Sequence, residues 1–171
     1  MKKQILTVLA VLIAITIHAQ DIPEVFKVQL GNVVTSSTAL TKSLVASNTQ
    51  NSQRNAQLIK TKLGEVEMKL LKGQTHMDWM KSLKELNESL AIIAVSDDIN
   101  EQRQAFSKFN ETLYSNLKTL GVSDISTLYY QYCPMALNNA GAYWFSDSKE
   151  ILNPYFGQMM LKCGTTKEVI E

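Results

Sequence analysis

Three stretches of the chain repeat apolar residues every three or four positions, the spacing of one face of an α-helix. Their apolar positions are Ala56, Ile59, Leu63, Val66 and Leu70; Met80, Leu83, Leu86, Leu90 and Ile93; and Ile99, Phe106, Phe109, Leu113, Leu117 and Leu120. Gly73, the polar cluster 96–98 and Gly121 stand at the ends of these stretches, where helices commonly end. The pattern therefore predicts three amphipathic helices.

A fourth helix is predicted upstream, over about residues 33–45, where apolar residues recur among many Ser, Thr and β-branched residues of lower helix propensity. The helix that carries the Met80 stripe is expected to begin behind Thr75, with Asp78 as its capping partner. Four amphipathic segments joined by short polar loops predict an antiparallel four-helix bundle.

After Gly121 the helical spacing stops, and aromatic residues crowd between glycines and prolines. This predicts an irregular, aromatic-rich lobe that holds up to two short strands, near 127–132 and 142–145, and a helical turn near 156–161. The predicted fold class is mostly α, with the bundle over about residues 22–121 and the lobe over about 122–171. Both belong to a single domain, residues 21–171.

Residues 1–20 have the pattern of a secretory signal peptide, with Lys2 and Lys3 before an apolar run. No later stretch approaches the roughly 18 apolar residues of a membrane span. We therefore expect an exported protein, in the periplasm of a Gram-negative bacterium.

The 17 basic and 16 acidic residues nearly balance and form no basic block, so nucleic acid is not an expected partner. No nucleophile with a base and no paired carboxylates stand out, so an enzyme is not expected.

The chain has two cysteines, Cys133 and Cys163, and each has a methionine close by in sequence, Met135 and Met160. Thiolate and thioether sulfurs are soft donors that favour Cu(I). In an oxidising compartment an even number of cysteines equally indicates a disulfide, which would stabilise the fold by about 3 to 4 kcal/mol. From the spacing alone a disulfide and a metal site both remain open.

Three C-terminal motifs resemble the signature of a bacterial exported family of unknown function. They are Tyr-Cys-Pro-Met-Ala at 132–136, Gly-Ala-Tyr-Trp at 141–144, and Asn-Pro-Tyr-Phe-Gly-x-x-Met-Leu-x-Cys-Gly at 153–164. Related domains are fused to periplasmic adaptor subunits of heavy-metal efflux pumps. The resemblance implies the handling of copper or a similar metal, with an efflux adaptor as a partner. Its pattern places the metal ligands at Cys133, Met135, Met160 and Cys163.

Other ligands and functions remain as alternatives. Met159 adjoins the matched Met160, while His76 and Met80 are one helical turn apart and could face one point. Zn(II) is the second candidate ion, although its structural sites usually use four Cys or His ligands and the lobe has no histidine. A disulfide-stapled module that docks on an envelope or efflux partner without metal would have the same cysteines. So would a redox sensor in which metal and disulfide exclude each other.

Overall fold

The computed structural model describes residues 21–171, so the predicted signal peptide lies outside the described residues. The first hundred of these residues form four long helices. Their bounds are α1 (Glu24–Val45), α2 (Thr49–Glu65), α3 (Gly73–Val95) and α4 (Ile99–Leu120). Consecutive helices are joined by short connections and pack on each other, α1 on α2, α2 on α3 and α3 on α4. The predicted helical bundle is confirmed.

Two helix starts and one helix end differ from the prediction. The first helix begins at Glu24, directly after Pro23, because its early turns already bury apolar side chains such as Phe26. α3 begins at Gly73, and the Asp78 carboxylate accepts a hydrogen bond from the Gln74 side chain at 2.8 Å instead of capping the helix. α2 ends at Glu65, so Leu70 of the first stripe lies in a separate 3-10 turn, Met68–Leu70.

The bundle core follows the predicted stripes, with one exception. Phe106, Phe109 and Leu113 of α4 are fully buried, as the stripe predicts. On α3 the core position belongs to Trp79, which packs edge to face on Phe26 with 5.2 Å between the ring centroids. Met80 is exposed, and its placement in the apolar stripe was wrong. None of the helices within residues 21–171 combines the length and apolar character that a membrane crossing requires.

The C-terminal lobe is a three-stranded antiparallel sheet with long connections. Its strands are β1 (Leu128–Cys133), β2 (Ala142–Ser146) and β3 (Thr165–Ile170), in the order β2-β1-β3. The two predicted strands and the helical turn, a 3-10 turn over Gly157–Met160, are confirmed. β3 was not predicted, because it is an edge strand whose side chains are mostly exposed and lack the alternation of a half-buried strand.

The sheet packs on α1 and α4 through aromatic and hydrogen-bonded contacts. Tyr114 of α4 stacks on Tyr130 of β1 with 3.9 Å between the ring centroids. The Thr41 hydroxyl of α1 donates a hydrogen bond to the Phe145 carbonyl of β2 at 2.8 Å. The lobe is therefore fixed to the bundle by groups from both helices.

Gly31 of α1 packs tightly against the segment that follows α4, and a single substitution tests this contact. A Cβ at residue 31 would lie 2.6 Å from the Ser123 carbonyl oxygen and 2.8 Å from the Ile125 side chain, whereas a Cβ at Gly64 of α2 would meet nothing within 4 Å. We expect Gly31→Ala to lower the free energy of unfolding by about 1 to 3 kcal/mol through overpacking. The matched Gly64→Ala should leave it unchanged or raise it by up to about 1 kcal/mol. Urea unfolding of both variants measures the difference, and equal effects would contradict the contact.

Candidate functional site

The strand register brings the two cysteines to the same end of the sheet. Cys133 is the last residue of β1, and Tyr132 beside it is paired with Thr165, the first residue of β3. Because the two strands are antiparallel, the residues that follow Tyr132 lie beside the residues that precede Thr165. Cys163 lies two residues before β3. The strand pairing therefore brings it close to Cys133, although thirty residues separate the two in sequence.

The Cys133 and Cys163 side chains, here called the cysteine pair, are both free thiols. Cys133 is fully buried and Cys163 is half-buried. A hydrogen bond between the two thiols raises the pKa of Cys163, and burial and the neighbouring Cys133 charge raise it further. A hydrogen bond from the Met135 backbone N–H to the Cys163 sulfur lowers this pKa in part. The two thiols therefore lie close together at the edge of the buried lobe, and this proximity opposes ionisation of Cys163.

Asn153 holds the Cys163 arm in place. Its side chain is fully buried, and its amide Nδ2 donates a 2.7 Å hydrogen bond to the Cys163 carbonyl. Its Oδ1 accepts hydrogen bonds from the backbone N–H groups of Tyr155 at 2.8 Å and Phe156 at 3.2 Å. The C-terminal motif contains Asn153, but the sequence alone indicates no role for its side chain. An asparagine before a proline is the available signal, since Asn side chains commonly bond the backbone of such turns.

Gly164 allows the same arm to approach β1 closely. Its φ is +145°, a backbone conformation that favours glycine. A Cβ at residue 164 would lie 2.9 Å from both the Tyr132 carbonyl oxygen and the Trp144 ring. The Cys-Gly step of the motif thus has a steric reason, because a larger residue would push Cys163 away from Cys133.

The Cys133 arm leaves β1 through a strained turn. Leu137, Asn138 and Asn139 are three consecutive residues with positive φ, and each such non-glycine residue costs on the order of 1 to 2 kcal/mol. Buried Ala136 anchors the turn, since its carbonyl accepts a 3.0 Å hydrogen bond from Gly141 N–H. Strain of this kind persists where the surrounding structure over-determines it, which often occurs beside functional sites.

The structure places the three lobe methionines at different depths. Met135 is 46% exposed, and its backbone N–H contacts the Cys163 sulfur. Met160 is half-buried and shares one turn with Cys163, whose N–H donates to the Met160 carbonyl at 3.0 Å. Met159 is 79% exposed and lines a separate groove beside α4. Met135 and Met160 are therefore the methionines whose backbones lie next to the cysteine pair.

His76 and Met80 belong to a different part of the molecule. Both lie on α3, which packs mainly on α2, α4 and the 68–70 turn, whereas the sheet packs on α1 and α4. His76 is half-buried and Met80 is exposed. Within residues 21–171 no three or more His, Cys, Asp and Glu side chains gather where they could hold a metal ion. Cys133, Cys163, Met135 and Met160 form a different kind of group, because two of its four sulfur atoms are thioethers.

Comparison with known proteins gives one match. A family model described as "Protein of unknown function (DUF3347)" matches residues 33–124, which is more than half of the chain. No curated protein and no solved structure matches. The matched segment runs from within α1 to just beyond α4, so the cysteine pair and the C-terminal motifs lie outside it.

Proposed function

The chain belongs to the DUF3347 family of proteins of unknown function, and since that family brings no activity with it, we propose from the cysteine pair that the protein binds Cu(I). The proposed ligands are the thiolates of Cys133 and Cys163 and the thioethers of Met135 and Met160. The single observation that carries this proposal is that the register of β1 and β3 brings two free thiols, thirty residues apart in sequence, close enough to interact.

The chemistry of the donors favours Cu(I) over harder ions. Thiolate and thioether sulfurs select Cu(I), and a methionine sulfur needs no deprotonation to bind. Zn(II) sites usually contain four Cys or His ligands, and residues 122–171 contain no histidine. Both thiols must lose their protons to bind the metal, so we expect metal uptake to release protons.

We further propose that the protein is exported and handles copper in the periplasm without catalysing a reaction. The signal-peptide pattern of residues 1–20 supports export. The C-terminal motifs, through their resemblance, support a role beside the adaptor subunit of a heavy-metal efflux pump. A half-buried Cys163 and a partly exposed Met135 would leave a path for the metal to pass to such a partner.

Competition with a chromogenic Cu(I) chelator tests metal binding. We expect the reduced protein to bind about one equivalent of Cu(I), and the Met135→Leu/Met160→Leu variant to lose most of this affinity because leucine keeps the bulk and removes the soft donor. The matched control is Met77→Leu/Met80→Leu, which removes two exposed methionines of α3. Equal affinity in the two double variants would contradict the methionine assignment, and no uptake by the native protein would overturn the proposal.

The second candidate function, a disulfide-stapled interaction module, also rests on the contact between the two thiols. It requires no free thiols in protein purified without reductant and no Cu(I) uptake after reduction. A redox sensor would exist either as a metal-bound dithiol or as a disulfide, and bound copper would then slow oxidation of the cysteine pair. Thiol counts with and without copper separate these functions.

A further inference from the structure

Arg103 on α4 is a buried cation whose hydrogen-bond partners are all neutral. It is 5% exposed. Its Nε donates to the Pro154 carbonyl at 2.8 Å, and its Nη2 donates to the Leu44 carbonyl at 3.4 Å and the Ser47 hydroxyl at 3.0 Å. No carboxylate within residues 21–171 forms an ion pair with Arg103.

The surroundings compensate only part of this charge. Burial lowers the pKa of Arg103, but a guanidinium stays protonated in proteins at neutral pH. Leu44 lies in the last turn of α1, where the negative end of the helix dipole attracts a cation. The third nitrogen, Nη1, has no hydrogen-bond partner among the described residues. A buried positive charge without a negative partner is costly, and Nη1, which is not among the fully buried unpartnered atoms, remains accessible to a ligand or to water.

Arg103 lines an open groove between α4 and the lobe, here called the Arg103 groove, with a volume of about 530 Å³. Its other lining residues are Asn100, Gln104, Leu137, Asn138, Tyr155, Phe156 and Met159. They supply amide groups able to donate hydrogen bonds and a wall of aromatic, aliphatic and thioether side chains. No acidic residue and no second cation is among them.

We propose that the Arg103 groove binds a small monocarboxylate with an apolar body. The carboxylate would accept hydrogen bonds from Arg103, and the carbon skeleton would lie against half-buried Phe156 and Leu137. A single negative charge matches the single cation of the groove, whereas a dianion would find no second one. The proposal does not depend on copper binding, because it uses none of the four proposed metal ligands.

Titration of the isotope-labelled native protein followed by NMR tests this proposal without a mutation. The probes are benzoate, the neutral isostere benzamide, and sulfate. We expect benzoate to shift the backbone signals of Asn100, Gln104 and Asn138 saturably and to bind at least about tenfold more tightly than benzamide, because charge-assisted hydrogen bonds are the stronger ones. Equal affinities, or benzoate shifts confined to another surface, would overturn the site. Sulfate binding as tight as benzoate at the same residues would overturn the carboxylate assignment.

A pair of glutamine variants gives a second test that spares the structural bonds of Arg103. Gln104→Glu places a carboxylate at the rim of the groove, and Gln57→Glu makes the same charge change on the exposed face of α2. We expect Gln104→Glu to weaken benzoate binding at least about tenfold, by pairing with Arg103 and repelling the ligand. Gln57→Glu should bind as the native protein does. Equal weakening by both variants would overturn the proposal.

Discussion

Replacing Cys163 with serine is expected to lower the Cu(I) affinity of the reduced protein by at least about a hundredfold, which corresponds to about 2.7 kcal/mol. The serine hydroxyl stays protonated at neutral pH and offers a hard oxygen in place of a soft thiolate. The remaining thiol, Cys133, is fully buried and would bind the metal without its partner. Chelator competition under reducing conditions measures the affinity.

Because of its position, Cys163 can be replaced with little effect on folding. A change in the Cu(I) affinity of this variant therefore reports on metal binding. Cys163 is half-buried, so its replacement should change the melting temperature only slightly, whereas Cys133→Ser would also place a hydroxyl in the apolar core of the lobe. A Cys163→Ser variant that melts as the native protein does and still binds Cu(I) with native affinity would contradict the proposed site.

The helical body could be predicted from apolar spacing because most of its buried positions are apolar. The first turns of α1 could not, since Gly31 and Asn32, two residues of low helix propensity, separate Phe26 and Leu30 from the predicted stripe. Gly31 is buried against the Ser123 carbonyl, which is distant in sequence, so no local pattern reports this contact.

The sheet shows a different limit of prediction from sequence, the pairing of distant segments. β1 and β2 carry aromatic and buried residues and could be recognised from the sequence, whereas β3 is defined mainly by its pairing with β1. That pairing joins segments more than thirty residues apart, so no local pattern reports it. The contact between the cysteines depends on the same pairing. The motifs indicated which residues belong together, and the register explains how they meet.

Arg103 shows why part of a candidate site escapes sequence reasoning. In sequence Arg103 lies between Gln102 and Gln104, and such a run of polar residues indicates a solvated stretch of helix. Its burial depends on Pro154 in the lobe and on the end of α1, neither of which is near it in sequence. The role of a charged residue that contacts three segments can be recognised only from the folded structure, in which all three lie close together.

Replacing Asn153 with alanine is expected to lower the free energy of unfolding by about 3 kcal/mol, because each buried polar group left without a partner costs about 1 to 3 kcal/mol. The groups concerned are the Cys163 carbonyl and the N–H groups of Tyr155 and Phe156. The Cys163 arm would lose its anchor, and residues that orient metal ligands typically change affinity by about 10- to 100-fold. Urea unfolding measures the first effect and chelator competition the second.

Asn32→Ala is the matched control, because Asn32 is exposed on α1 and the same atoms are removed there without opening a buried network. It should change the free energy of unfolding by no more than about 0.5 kcal/mol and leave Cu(I) affinity at the native value. Chelator competition is measured under conditions in which both variants are fully folded, so that the lower stability of Asn153→Ala does not appear as a loss of Cu(I) affinity. If that variant loses stability and retains native Cu(I) affinity, Asn153 supports the fold alone. If it loses neither, the hydrogen bonds described for its side chain do not hold the Cys163 arm.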